Sequence, residues 1–183
     1  ASTNLGLGGA YDVHVSGKYA YVVSYGTNRL CVFDISNPAS IITKGYTGIG
    51  LTNPRNVYVS GKYAYVAGNG NNRLSIFDVS NPDSVVAKAW TNVNLNQPFD
   101  VYVSGKYAYV TNSGNANLCI FDISNPDSIA TKTYTSVNLS NPRGIFVSGK
   151  YAYTVNGAFT PNGRFCVFDI SDPVSIVTKA ATS

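Results

Sequence analysis

The chain has 183 residues, with 14 Tyr, 17 Gly, 8 Pro and no Met, and every one of its nine carboxylate side chains is an aspartate. That is one domain's worth of chain with room for a sizeable core, and the abundance of Tyr, Val, Ile, Gly and Pro favours strands and turns over helices. A net charge of +4, with Lys and Arg scattered along the chain, excludes the basic stripe of a nucleic-acid binder; no apolar run is long enough for a membrane span, and no stretch of these residues reads as a signal peptide.

The first residue is Ala, as expected of a processed, trimmed or excerpted product. Self-comparison then sets the organisation. Ser-Gly-Lys-Tyr-Ala-Tyr begins at Ser16, Ser60, Ser104 and Ser148, a period of 44. A second anchor begins at Phe33, Phe77, Phe121 and Phe168 and reads Phe-Asp-(Ile/Val)-Ser-(Asn/Asp)-Pro. The fourth copy is longer by three residues, placed in a loop around 158–163. Four blades follow, approximately 8–47, 52–91, 96–135 and 140–180, within one domain spanning 1–183.

Taken in chain order, each copy predicts four strands. In copy two, strand A covers Val57–Val59 and ends in the Ser60-Gly61-Lys62 turn, and strand B covers Tyr63–Ala67 before a Gly/Asn loop. Strand C covers Leu74–Val79 and closes on Ser80-Asn81-Pro82-Asp83, and strand D covers Ser84–Thr91. Short turns require an antiparallel meander. Runs such as Leu118-Cys119-Ile120-Phe121 are apolar on both faces, so each sheet needs a neighbour on either side. Stacking sibling sheets around an axis meets that need: an all-β propeller of four-stranded antiparallel blades. Four blades close alone only at the tight lower limit of this architecture; the alternative is half of an eight-bladed ring, completed by a second chain or by the other half of a longer protein.

Leu30 to Asp34, Leu74 to Asp78, Leu118 to Asp122 and Phe165 to Asp169 resemble the signature of LVIVD-repeat propellers. Tyr109-Val110-Thr111-Asn112 is similar to that of the related YVTN surface-layer propellers. The resemblance implies a secreted or cell-surface protein without a fixed biochemical role, since propellers host many activities. Copies two and three are close enough to suggest recent amplification of one blade or deliberate symmetric engineering.

Candidate chemistry is sparse. His14, the one histidine, fills a slot held elsewhere by Tyr58, Tyr102 and Phe146, which is the place of a packed ring and not of a catalytic base. Asp34, Asp78, Asp122 and Asp169 precede turns and are expected to bind turn amides. Cys31, Cys119 and Cys166 share one register across separate blades, so buried thiols are expected in place of a disulfide or a zinc site. Asn138-Leu139-Ser140 matches a glycosylation acceptor.

One register varies while its surroundings do not. At the start of strand A stand Tyr11-Asp12, Arg55-Asn56, Phe99-Asp100 and Arg143-Gly144, at the expected mouth of the central channel. Alternating charges there predict either a ring of ion pairs or a polar funnel for a ligand. The B–C loops share that face and offer Tyr25, Arg29, Arg73, Phe159 and Arg164 as contacts. The expected function is a non-enzymatic scaffold or protein-interaction module without a cofactor, partnered by a second copy or another protein. The alternative is a propeller that binds a glycan or small ligand through the funnel or the loops.

Overall fold

Glycine and proline set the ends of the strands. In a computed structural model, described for residues 7–157 and 163–182, Gly17, Gly61, Gly105 and Gly149 adopt φ of 56–58° at the A–B turns, where any side chain would be strained. Pro54, Pro98 and Pro142 each open an inner strand, the place in a sheet where a missing N–H does least harm. The first blade comprises β1 (Ala10–Ser16), β2 (Tyr19–Ser24), β3 (Arg29–Asp34) and β4 (Ile42–Thr47). The second comprises β5 (Pro54–Ser60), β6 (Tyr63–Gly68), β7 (Arg73–Asp78) and β8 (Val86–Thr91). Blade three is built from β9 (Pro98–Ser104), β10 (Tyr107–Asn112), β11 (Asn117–Asn125) and β12 (Ser128–Thr135). The last holds β13 (Pro142–Ser148), β14 (Tyr151–Asn156), β15 (Arg164–Asp172) and β16 (Ser175–Ala181). Each sheet is an antiparallel meander in sequence order, and the described residues contain no helix.

The expected Asx turns are present. Asp34, Asp78, Asp122 and Asp169 accept the backbone N–H of Ser36, Ser80, Ser124 and Ser171 at 2.9–3.1 Å. Hydrogen bonds from the side chains of those serines, and then from their backbone N–H groups, hold all four carboxyls below their usual range.

The core lies between the blades and not within any one of them. Between blades two and three, Tyr65, Leu74 and Ile76 meet Val101, Val103, Ala108, Cys119, Phe121 and Ile123. Matching clusters join blade one to two and blade three to four. Phe77, Phe121 and Phe168 are fully buried at these junctions. The expectation that both faces of each sheet are sticky is thus met by sibling sheets.

The four blades form an arc. The inner strands β1, β5, β9 and β13 each pack along the next, while β13 has no comparable packing along β1. Val13 and Val15 at one end are 56% and 55% exposed, and Phe146 at the other is 56% exposed. Closure of four blades on themselves, one of the two expectations, is therefore not the observed arrangement.

Candidate functional site

The variable register sits on β-bulges. In blade two, Pro54 pairs with Gly68 and Asn56 with Ala67, which leaves Arg55 as the extra residue. The same shift leaves out Tyr11, Phe99 and Arg143 in the other blades. A bulge residue has no cross-strand partner, and bulges re-aim side chains. All four side chains reach the channel end from which the inner strands start.

There they form a ladder of rings and cations. The Arg55 guanidinium lies 4.7 Å from the Tyr11 ring centre, 5.1 Å from Tyr25 and 5.0 Å from Phe99. It also donates to the Tyr11 hydroxyl. Arg143 lies 5.0 Å from Phe99, and the Tyr11 and Phe99 rings meet edge to face at 6.5 Å. Cations over ring faces are attracted by the ring quadrupole. The Nε–H of Arg55 is buried without an acceptor among the described residues.

These side chains border a cavity of about 600 Å³ lined by Tyr25, Arg55, Asn69, Gln97, Phe99, Ser113, Asn141 and Arg143. No carboxylate is among them. The amide and hydroxyl residues were not singled out from sequence, although their positions are also fixed by register. Asn69 and Ser113 open the B–C loops, and Gln97 and Asn141 precede Pro98 and Pro142. The N–H of Ser113 bonds to the carbonyl of Gln97, and that of Asn69 to the carbonyl of Asn53, which holds the register of Gln97 one blade earlier.

The expected ring of ion pairs is not formed. Asp12 accepts the N–H of Val57 at 2.9 Å, Asn56 that of Val101 at 3.1 Å and Asp100 that of Ile145 at 2.8 Å. Standing one residue past the bulge, these side chains enter the junction with the next blade and bracket it to the last. They do not line the mouth, and Arg55 forms no ion pair with an aspartate among the described residues. Burial pushes the Asp100 carboxyl up to about 7, helped by the nearby Asp12 charge and opposed by the bonds from Ile145 and Val101.

The loop residues divide. Tyr25 joins the mouth. Arg29 and Arg73 turn to the outer strands, 4.4 Å from Tyr46 and 3.6 Å from Trp90, because their place at the start of strand C faces strand D. Arg164 is exposed at the start of β15, and Phe159 lies outside the described residues.

The remaining candidates behave as packing groups. His14, Tyr58, Tyr102 and Phe146 form a ladder along the inner strands with ring centres 4.7, 4.8 and 5.1 Å apart. Burial lowers the His14 pKa, with Asp12 opposing. Cys31, Cys119 and Cys166 are buried free thiols, and burial pushes Cys119 up to about 12. Among the described residues no three His, Cys, Asp or Glu side chains come together as a metal site would need.

Bladed sheets stacked by their faces, with inner strands lining a channel, define a β-propeller architecture. The LVIVD repeat matches residues 7–47, 53–91, 99–135 and 141–181, and the chain belongs to the LVIVD-repeat family. No curated protein sequence matches it. Among solved structures it is similar to Kuenenia stuttgartiensis hydrazine synthase, at 19% identity and TM-score 0.78, over 98% of this chain and 51% of that one. A protein from Lactobacillus plantarum matches at 14% and 0.81, over 94% and 54%. A periplasmic gluconolactonase from Pseudomonas aeruginosa matches at 15% and 0.75, over 94% and 53%. The chain thus spans about half the length of these structures, and at such identities the likeness is one of fold.

Proposed function

We propose that this is a non-enzymatic binding propeller whose channel mouth takes a small anionic, hydroxyl-bearing ligand, a sugar carrying a carboxylate or a phosphate. The observation that carries this reading is the pairing of Arg55 and Arg143 over aromatic rings in a cavity of about 600 Å³ without a lining carboxylate. Guanidinium forks recognise carboxylates and phosphates by paired N–H bonds. Asn69, Gln97, Asn141 and Ser113 supply donors and acceptors suited to hydroxyls. The cavity falls in the range of small-molecule sites.

Binding is favoured over catalysis by what surrounds the mouth. The Ser113 hydroxyl donates to the Gln97 carbonyl at 3.0 Å and so has no base to activate it. His14 is packed against Tyr58 two residues further along β1 than Asp12. The lactonase likeness supplies no argument for a reaction, because it rests on fold.

Titration calorimetry with glucuronate, a sugar phosphate and neutral glucose tests the proposal. Expected is binding of an acidic sugar, weakened at least tenfold by Arg55→Ala, a loss of about 1.4 kcal/mol or more, and weakened by added salt. Equal binding of glucose, or affinity unchanged in Arg55→Ala, would overturn it.

A further inference from the structure

We infer that a second copy of this chain docks its first blade on the open face of blade four, and that the reciprocal contact closes an eight-bladed ring. The inference is independent of what the mouth binds.

It rests first on two half-finished junctions. Each interior junction joins the strand B and C side chains of one blade to the strand A, B and C side chains of the next. At blade one the strand A part of that interface is open: Ala20, Cys31 and Phe33 are covered within a small cluster with Leu7, Val22, Ile35 and Ile41, while Val13 and Val15 stand 56% and 55% exposed. Their counterparts Val57, Val59, Val101 and Val103 are only 2–5% exposed. Blade four retains the first half without a second. Phe165 is 45% exposed and Val155 is 50%, where Leu118 and Thr111 of blade three are fully buried. The two ends are halves of the same interface, so the partner that fits each is the other end of an identical chain.

The ring ladder points the same way. It runs from His14 to Phe146 at nearly constant spacing and stops on a Phe that is 56% exposed. The next rung in sequence is His14 of a second copy. Curvature agrees, since the arc superposes on about half of longer chains with TM-scores of 0.75–0.81. Two identical head-to-tail contacts then close by a twofold rotation, which avoids open polymers.

The new junction would lack a hydrogen bond that the interior ones have. Gly144 occupies the place of Asp12, Asn56 and Asp100, so the Val13 N–H of the second copy meets no bracket. Apolar burial alone holds this contact, and association depends on concentration.

Light scattering and sedimentation from 1 to 100 µM test this. Expected is a mass rising from 19.5 kDa to twice that value. Val13→Lys combined with Phe165→Lys changes only residues exposed in the single chain, and should return the mass to one chain with an unchanged circular dichroism spectrum. Gly144→Asn with Val155→Ala copies the Asn56/Ala67 pair of blade two and should move dimerisation to lower concentration. A single-chain mass throughout, masses growing without limit, a dimer that survives both lysines, or a dimer weakened by the Asn/Ala pair would each overturn the proposal.

Discussion

Asp100 in β9 accepts the backbone N–H of Ile145 in β13 at 2.8 Å, tying blade three to blade four through a single carboxylate. Asn56 does the same work for Val101 one blade earlier with an uncharged amide. The comparison isolates the effect of a charge at this position, because both side chains accept the same kind of bond.

The first prediction follows from that charge. Folding raises the Asp100 pKa from its ordinary value to about 7, so between about pH 4 and 7 the folded chain holds the proton more tightly than the unfolded chain. Stability from this group is therefore greatest at the acid end of that window and falls as pH rises through it. Asp100→Asn should remove the fall and raise stability at pH 8 by about 1–3 kcal/mol, a figure reduced for the partial exposure of the side chain. Urea unfolding at pH 5 and pH 8 checks this: equal pH dependence in the two proteins would contradict it.

A second prediction concerns a missing bracket in a loop. Asn28 and Asn72 accept the N–H of Asn53 and Gln97 at 2.7 and 2.8 Å, and both sit at φ 55°. Ala116 holds the same register at φ 50°, where Asn is better tolerated than Ala and where a methyl group cannot accept the N–H of Asn141. Ala116→Asn should stabilise the chain by about 1–2 kcal/mol, from relief of strain and one added hydrogen bond. Thermal unfolding would show a higher midpoint, and a lower one would count against the register.

Much of this was legible because the repeat does its own alignment. The Ser-Gly-Lys turns, the Asp34-type Asx turns and the Cys31 register are local or one-per-blade features, and their structural roles follow from spacing. The mouth was located by the variation at Tyr11, Arg55, Phe99 and Arg143, but its composition was only half read. Whether Asp12 and Asp100 face the channel depends on a bulge, and the bulge shows itself only when Asn56 is paired with Ala67. The partner of each bracket lies 45 residues away in the next blade, beyond any local pattern. The angle between blades, which makes the arc open, is set by how side chains fill each junction and has no signature in a single copy.

Ser75 provides the last prediction, again by comparison between blades. It fills the slot of Cys31, Cys119 and Cys166, is 4% exposed, and its hydroxyl is buried without a partner among the described residues. A buried hydroxyl with no hydrogen bond carries its full desolvation cost, whereas a thiol behaves as a small apolar group. The sister thiols tolerate the same environment, with Cys119 only 3.6 Å from the carbonyl of Asn94. Ser75→Cys should therefore stabilise blade two by about 1 kcal/mol, and Ser75→Ala by somewhat less, since it leaves more unfilled volume. Denaturant midpoints for the three proteins should fall in the order Cys, Ala, Ser. If Ser stood highest, the hydroxyl would have to hold a partner, such as a bound water, and the packing argument for this slot would fail.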